Sequence, residues 1–347
     1  MRIVQIAPLE EPVPPKTYGG TELVVYNLVE EMTKLGHEVF LLGTGDSTVS
    51  AQLVPIVPVS LRKAYPPPTD TSWRNYLKLY HLSTILKKIR ELEPDVVHNH
   101  FGWRLLPFVS FVDCPVFTTM HGPLGSEYEQ YGYENNPDAN YVSISNNQRK
   151  AMPHLNWVET IYNGIDVTSF PLGKGKRDYF VFLGRTSPEK GLKEICQMIK
   201  TTSHRLKIAA KVDVVDREYF KNEVSPLIDG KQIEFIGEVD HAGKTKLLAK
   251  ARALLLWLNW EEPFGLVVPE ANACGTPVIV NPRGSMTELI QPGENGFLVS
   301  SLEEMKSKLD EVDRIDPKKC RSIVETRFSS KIMAKAYVHL AGELTRA

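Results

Sequence analysis

The sequence predicts an α/β protein made of two doubly wound domains, each with a parallel sheet between layers of helices. Its 347 residues are enough for two domains. Short apolar runs alternate with segments of helical period, which is typical of parallel sheets. This alternation pauses near residues 163–176 and then starts again. We therefore expect a first domain over residues 1–165, a second over 166–328, and a last helix at about residues 329–347.

The first domain opens with a β-α-β unit. Residues 2–7 form a short β-type run, and apolar residues then recur at helical spacing between Leu23 and Leu35. Gly36 suits the position just after a helix, and residues 38–42 read as the next strand. Three further strands are expected at residues 95–98, 116–119 and 141–144.

The second domain repeats this rhythm. Its opening strand is expected at residues 178–183. Later strands are expected at residues 206–209, 232–236, 253–257 and 276–280. Two domains of this kind usually bind a ligand in a cleft at the carboxyl ends of their strands.

Composition excludes several classes of protein. The 41 basic and 42 acidic residues nearly balance, which argues against a nucleic-acid partner. No apolar run approaches the roughly 18 residues of a membrane span, and the first apolar stretch is too short for a signal peptide. The four cysteines form no CxxC pair, so we expect reduced core thiols in a cytoplasmic protein.

The sequence offers no cofactor or metal motif. The chain has no G-x-G-x-x-G, which disfavours a dinucleotide-dependent dehydrogenase. It also has no D-x-D and no H-E-x-x-H. We expect His98 and His100 to point to opposite faces of an extended segment, and so to serve structure or substrate contact. Neither a metal nor another cofactor is therefore expected.

The strongest functional pattern is the segment from Glu262 to Ala271, EPFGLVVPEA. It follows a buried strand and opens a helix. Two glutamates eight residues apart, Glu262 and Glu270, border that helix start, and the amides of residues 264–267 could attract a phosphate. Acidic residues are common in a first helical turn, so this pattern alone is also compatible with ordinary helix initiation.

A second pattern lies after the second domain's first strand. Arg185 and Lys190 flank the turn into the next helix in the segment GRTSPEKG. Two cations so placed can clamp a diphosphate. Together with the Glu262–Glu270 segment they indicate a binding site for a phosphorylated ligand.

Taken in order, these pieces make the chain resemble a family 4 glycosyltransferase of the retaining GT-B class (glycosyl transferases group 1). The matching segments cover nearly the whole chain: residues 18–22 (YGGTE), 94–98 (PDVVH), 119–122 (TMHG), 162–166 (YNGID), 184–185 with 190–191, 235–237, 262–270 and 275–278. The pair of glutamates with the Arg–Lys pair is the most specific of them. Departures from the family pattern at Ala209-Ala210 and at residues 283–286 bear on the donor base and the acceptor.

The resemblance implies that the last helix, about residues 329–347, packs back on the first domain, and it implies a role for each matching residue. Arg185 and Lys190 would hold the donor diphosphate and stabilise the leaving group, and Glu270 would bind the ribose hydroxyls. Glu262 and the amides of the next turn would contact the donor sugar and phosphate. The remaining implied contacts are a close approach at Gly20, His121 over the sugar, Val239 at the base, and the turn residues Phe264, Gly265, Leu266 and Val267.

The expected activity is metal-independent retaining transfer of a sugar from a nucleoside-diphosphate sugar, UDP favoured over GDP, to an unknown hydroxyl acceptor. A nucleotide-sugar epimerase on the same fold and a catalytically silent sugar-nucleotide binding protein stay open as alternatives. Residues 73–92 read either as an outer helix or as a basic amphipathic helix in weak contact with a membrane surface. The oligomeric state is not predicted.

Overall fold

The computed structural model describes residues 1–16, 19–66 and 71–346. Within these residues the chain forms thirteen strands. In chain order they are β1 (Arg2–Ile6), β2 (Glu38–Thr44), β3 (Gln52–Val57), β4 (Val96–Asn99), β5 (Val116–Thr119), β6 (Asn140–Ser143), β7 (Trp157–Thr160), β8 (Tyr179–Arg185), β9 (Leu206–Lys211), β10 (Ile233–Gly237), β11 (Ala251–Leu256), β12 (Val278–Val280) and β13 (Gly296–Leu298).

The same residues form thirteen α-helices, together with short 3₁₀ turns. The helices are α1 (Gly20–Lys34), α2 (Leu61–Ala64), α3 (Thr71–Tyr80), α4 (Leu82–Leu92), α5 (Glu127–Glu134), α6 (Leu192–Lys200), α7 (Arg217–Tyr219), α8 (His241–Lys250), α9 (Val267–Ala273), α10 (Met286–Leu289), α11 (Leu302–Lys308), α12 (Pro317–Arg327) and α13 (Ser330–Leu344). The longest 3₁₀ segment spans Gly102–Phe111.

The chain divides into two compact units. Unit 1 comprises Met1–Gly164 and the segment from Ser330 onward, and unit 2 comprises Ile165–Ser329. Unit 1 contains a seven-stranded sheet in the order β3-β2-β1-β4-β5-β6-β7. Unit 2 contains a six-stranded sheet in the order β10-β9-β8-β11-β12-β13. The paired strands of both sheets are parallel, which confirms the predicted α/β class.

Each sheet is covered by helices whose apolar side chains are buried. In α1, Val24, Leu28 and Met32 are fully buried, as the helical spacing predicts, and Gly36 follows with φ of 85°. In unit 2, α6 buries Ile195 and Ile199 in the same way. Burial of such side chains supplies most of the free energy that stabilises a fold of this kind.

The prediction of a single helix over residues 73–92 is wrong, because this segment forms two helices, α3 and α4, which are separated at His81. Moreover, Arg74 is buried and Lys78 pairs with Glu10, while Trp73 and Tyr80 are 45% and 63% exposed. In α3 the cations therefore face the protein and the aromatic rings face outward.

The four cysteines form no disulfide, and three of them, Cys196, Cys274 and Cys320, are buried. In the parts of the chain that the structure describes, no helix is both long and apolar enough to cross a membrane.

Candidate functional site

In unit 2, the two predicted functional segments follow neighbouring strands. Strands β8 and β11 pair in parallel at the centre of the sheet. Arg185 is the last residue of β8, and Lys190 ends the short 3₁₀ turn that follows it. Glu262 lies in the loop after β11. The carboxyl ends of adjacent parallel strands meet at one edge, so topology brings these charges together.

Lys190 is held by two partners. Its ammonium group forms an ion pair with the Glu262 carboxylate and lies 4.6 Å from the centre of the Trp260 ring. The two paired side chains are only 17% and 12% exposed. Partial burial strengthens such a pair relative to one in open water. The cation is therefore fixed in position at the edge of the sheet.

The turn that carries Lys190 packs tightly against the end of β11. Gly191 has φ of 64°, and a Cβ atom added there would lie 1.8 Å from the Trp257 carbonyl oxygen. Asn259 also bonds to the turn, since its amide nitrogen donates to the Pro188 carbonyl at 3.1 Å. Glycine is thus required for the close approach that brings Lys190 to Glu262.

Arg185 has a separate carboxylate partner. Its Nη2 atom donates to Oε1 of Glu189 at 2.6 Å, and both side chains are about 30% exposed. Arg185 and Lys190 thus lie in one strand-to-helix turn, each paired with a different acidic residue.

Glu270 lies within α9 and is only 4% exposed. Its carboxylate pairs with Lys244 of α8, whose ammonium group is 5.5 Å from the Phe170 ring centre. The sequence analysis did not predict the pairing of Lys244 with Glu270.

The turn between Glu262 and Glu270 is braced from the adjacent strand. Ser285, which follows β12, donates its backbone N–H to the Glu262 carbonyl and its hydroxyl to the Phe264 carbonyl, at 2.9 and 2.6 Å. Phe264 is buried, whereas Gly265, Leu266 and Val267 are half-buried. Among the described residues, the amides of these last three residues have no hydrogen-bond acceptor.

Val239 lies apart from the ion pairs. It lines a shallow groove of about 440 Å³, whose other walls include Tyr179, Lys207 and Lys246. Lys190 and Glu270 are not among the residues that line this groove.

The two predicted residues of unit 1 occupy separate places. Gly20 is the exposed first residue of α1, and Tyr18 of the YGGTE segment lies outside the described residues. His121 is half-buried two residues after β5. Its Nε2 atom is 2.9 Å from Nδ1 of His100, and Nε2 of His100 is 2.9 Å from Oε1 of Gln5.

The expectation that His98 and His100 point to opposite faces is wrong. Their ring centres are 3.8 Å apart, because alternate residues of an extended segment share a face. His98 bonds to Thr119, whose hydroxyl lies 2.9 Å from that of Tyr337. A histidine at every second position at the end of a strand is the signal that could have identified this cluster.

Burial dominates the acid–base behaviour of the three histidines. It holds the pKa values of His98 and His100 well below the ordinary range and lowers the pKa of His121 to about 4. All three rings are therefore neutral at neutral pH. Among the described residues, no group of three or more His, Cys, Asp or Glu side chains is arranged to hold a metal ion.

Two family models match the chain. The model for glycosyl transferases group 1 matches residues 165–326, and the model for glycosyltransferase family 4 matches residues 18–169. A glycogen synthase of Mycobacterium tuberculosis is 24% identical over 329 residues, which cover 82% of this chain and 79% of that protein. An N-acetyl-alpha-D-glucosaminyl L-malate synthase of Bacillus anthracis is 25% identical over 332 residues, with coverage of 81% and 80%.

A solved structure shares the fold. HepE of Anabaena, crystallised with UDP and glucose, matches with a TM-score of 0.74 at 17% identity, and 99% of this chain and 100% of that chain are covered. The two family models together span residues 18–326 and agree with this architecture. The protein belongs to the group 1 glycosyltransferases and is a transferase with the GT-B fold.

Proposed function

We propose that this enzyme transfers a sugar, with retention of anomeric configuration, from a nucleoside-diphosphate sugar to an acceptor hydroxyl. The observation that carries the proposal is the pair of cations at the carboxyl edge of the unit 2 sheet. Arg185 and Lys190 lie in one turn, and each is held by a carboxylate. A diphosphate would bind these cations in place of, or beside, Glu189 and Glu262.

Catalysis by this pair would be electrostatic. As the glycosidic bond breaks, negative charge grows on the departing diphosphate, and positive charge grows on the sugar. Cations that are already fixed in a half-buried site stabilise that charge without reorganising, and such stabilisation is often the largest contribution to catalysis. Glu262, released from Lys190 by the diphosphate, would then be free to contact the donor sugar.

The remaining donor contacts are assigned by chemistry. Glu270 would accept hydrogen bonds from the ribose hydroxyls, with Lys244 keeping its carboxylate charged and in position. The amides of Gly265, Leu266 and Val267 are donors without described partners, and would bind phosphate oxygens. Phe264, Glu262 and Val239 complete the proposed donor site, with Val239 at the base. From unit 1, we assign Gly20 to the phosphates and His121 to the transferred sugar.

We favour UDP over GDP as the nucleotide of the donor. HepE, the structural neighbour described above, was crystallised with UDP and glucose. The relatives named above differ in the reaction that their names state, so the acceptor is assigned only as a hydroxyl compound.

A nucleotide-sugar screen followed by a turnover assay tests the proposal. Thermal shift identifies the sugar nucleotide that binds, and release of nucleoside diphosphate is then measured with and without candidate acceptors. Acceptor-dependent release supports the transferase. Epimerised product without an acceptor would favour an epimerase, and binding without turnover would favour a silent binding protein.

Substitution of the cations tests the mechanism. We expect Arg185→Ala and Lys190→Ala each to lower kcat by about 10²- to 10⁴-fold, since each removes a group that stabilises the transition state by several kcal/mol. Lys193→Ala is the matched control, because Lys193 lies on the adjacent helix and pairs with Glu223 at 2.5 Å. Turnover near wild type in both alanine variants, with the fold intact, would overturn this assignment.

Metal removal tests the same mechanism independently. Because Arg185 and Lys190 supply the positive charge, we expect initial rates to be unchanged in excess EDTA. Loss of turnover in EDTA, with recovery on addition of Mg²⁺ or Mn²⁺, would show that a divalent cation performs this role.

A further inference from the structure

A chain of hydrogen bonds in unit 1 ends at His121. It runs from the side-chain amide oxygen of Gln5, Oε1, to His100 Nε2, and from His100 Nδ1 to His121 Nε2, with both distances 2.9 Å. Gln5, His100 and His121 come from β1 and from the ends of β4 and β5, which are neighbours in the sheet. Gln5 is fully buried and His100 is 4% exposed, so water cannot replace these partners at low cost.

The direction of this chain is set at Gln5. Its amide nitrogen is 3.3 Å from the sulfur of Met32, which can accept a hydrogen bond but has no proton to donate. Exchanging the amide oxygen and nitrogen would face the oxygen towards that sulfur and lose the contact. The Gln5 oxygen therefore faces His100 and accepts a hydrogen bond from His100 Nε2–H.

The remaining proton positions follow from neutrality. A neutral imidazole carries one proton, and in His100 that proton is on Nε2, so His100 Nδ1 is an acceptor. His121 Nε2 must then be the donor across the 2.9 Å contact. His121 Nδ1 is left without a proton, and no described residue bonds to it.

We propose that His100 and Gln5 are positioning residues that hold His121 as the Nε2–H tautomer, so that His121 Nδ1 accepts a hydrogen bond from a hydroxyl of the transferred sugar. The contact with the sugar rests on the proposed function, whereas the tautomer rests on unit 1 alone. The ligand group that fits a bare ring nitrogen is a donor such as a sugar hydroxyl. A phosphate oxygen, which only accepts, does not fit.

The tautomer is measured directly by NMR. Long-range ¹H–¹⁵N correlation spectra of the full-length protein with ¹⁵N-labelled histidine distinguish protonated from bare ring nitrogens, and His121→Gln assigns the signals. At neutral pH we expect a bare Nδ1 and a protonated Nε2 on His121. A proton on Nδ1, or on both nitrogens, would overturn the proposal.

Variants test whether this chain of hydrogen bonds, rather than the neighbouring side chains, sets the tautomer of His121. His100→Leu removes the acceptor and is expected to give mixed His121 tautomers, while His100→Asn, whose side-chain oxygen takes the place of Nδ1, keeps the wild-type tautomer. Gln5→Leu is expected to loosen the preference in the same way as His100→Leu. Thr119→Val is the matched control, because it breaks the bond between His98 and Thr119 and leaves Gln5, His100 and His121 intact. An unchanged tautomer in folded His100→Leu would refute the positioning role.

Binding measurements test the consequence for the sugar. With the best sugar nucleotide from the screen above, His100→Leu should weaken binding about 3- to 10-fold, the effect of one hydrogen bond. Affinity for the nucleoside diphosphate without its sugar should stay within error, and His100→Asn should restore most of the loss. Equal losses for both ligands would reject the sugar contact. If no sugar nucleotide binds, the proposed function fails while the NMR result still decides the tautomer.

Discussion

The charged residues of the proposed donor site were identified from the sequence alone. Two cations that flank one turn, together with two glutamates eight residues apart, form an unusual pattern. Arg185, Lys190, Glu262 and Glu270 were identified from two short segments, and the structure brings Lys190 and Glu262 into contact. The roles of these residues remain proposals. The ion-pair partners of these residues were harder to predict from the sequence, since the pairing of Lys244 with Glu270 depends on how α8 packs against α9.

His100 shows a different limit of sequence reasoning. It was assigned to structure or substrate contact rather than to a metal site, and His98, two residues earlier, was wrongly expected on the opposite face. Its actual partners, Gln5 and His121, are 95 and 21 residues away in the chain. Contacts of that separation are set by the order of strands in the sheet, which the alternation of strands and helices does not specify.

Glu22 provides a pH-dependent prediction at the residue scale. It lies in the first turn of α1, is 6% exposed, and burial raises its pKa from 4.5 to about 7. A nearby Glu11 adds to this shift and Arg62 opposes it. The native state therefore holds a proton that the unfolded state has lost between these two pH values. The contribution of Glu22 to the free energy of unfolding is therefore fully present below about pH 4.5. It is lost as pH rises through 7, and the loss is roughly 3 kcal/mol.

We expect Glu22→Gln to remove this loss. Its melting temperature should match the wild type near pH 5 and exceed it by several degrees near pH 8, as followed by calorimetry. Glu134→Gln is the control, because Glu134 is exposed at the end of α5. If the melting temperatures of the wild type and Glu22→Gln change in parallel between pH 5 and pH 8, Glu22 is already ionised in the folded protein over this range.

At the scale of elements, the central strands and the edge strand β10 were predicted, but the other three edge strands were missed. Strands β3, β7 and β13 lie at sheet edges and were not expected. In β3 and β7 most side chains are partly or fully exposed, so neither a continuous apolar run nor clean alternation marks them. Strand β13 has only three residues and begins with glycine. Helices α3 and α4 were merged because apolar spacing continues across the break at His81.

Gly284, in the loop after β12, packs closely against Glu262 of the proposed site. The segment around it departs from the family's usual turn, yet Gly284 has φ of 62°, and a Cβ atom there would lie 2.2 Å from the Glu262 carbonyl oxygen. We expect Gly284→Ala to destabilise unit 2 by about 2–4 kcal/mol, from steric overlap and backbone strain. It should also weaken UDP binding, because Glu262 is displaced. Urea denaturation and calorimetry measure the two effects.

Gly293→Ala is the matched control for that substitution. Gly293 also has positive φ, 82°, but no atom lies within 4 Å of its added Cβ. It should therefore show only backbone strain, about 1–2 kcal/mol, with unchanged UDP affinity. If the two variants are equally stable and bind UDP equally well, the close packing of Gly284 on Glu262 has no energetic consequence.

At the scale of the whole molecule, the division of the chain into two units predicts which segments fold when they are expressed alone. Helix α13 belongs to unit 1, although unit 2 precedes it in the chain. It contributes Met333, Tyr337 and Leu340 to the core of unit 1, each at most 5% exposed. Burying three such side chains contributes roughly 5–9 kcal/mol, comparable to the whole stability of a typical domain.

We therefore expect residues 165–329 to fold when expressed alone, and residues 1–164 not to fold. Joining 1–164 to 330–347 through a Gly/Ser linker of about six residues should restore folding of unit 1, because Ile165 and Ser329 are paired where the chain enters and leaves unit 2. Circular dichroism and cooperative urea denaturation report the outcome. The same linked chain carrying Tyr337→Ala should be clearly less stable, since it loses the ring that stacks near Phe117 and bonds to Thr119. Cooperative unfolding of residues 1–164 alone would show instead that α13 is dispensable and that unit 1 is complete before unit 2 begins.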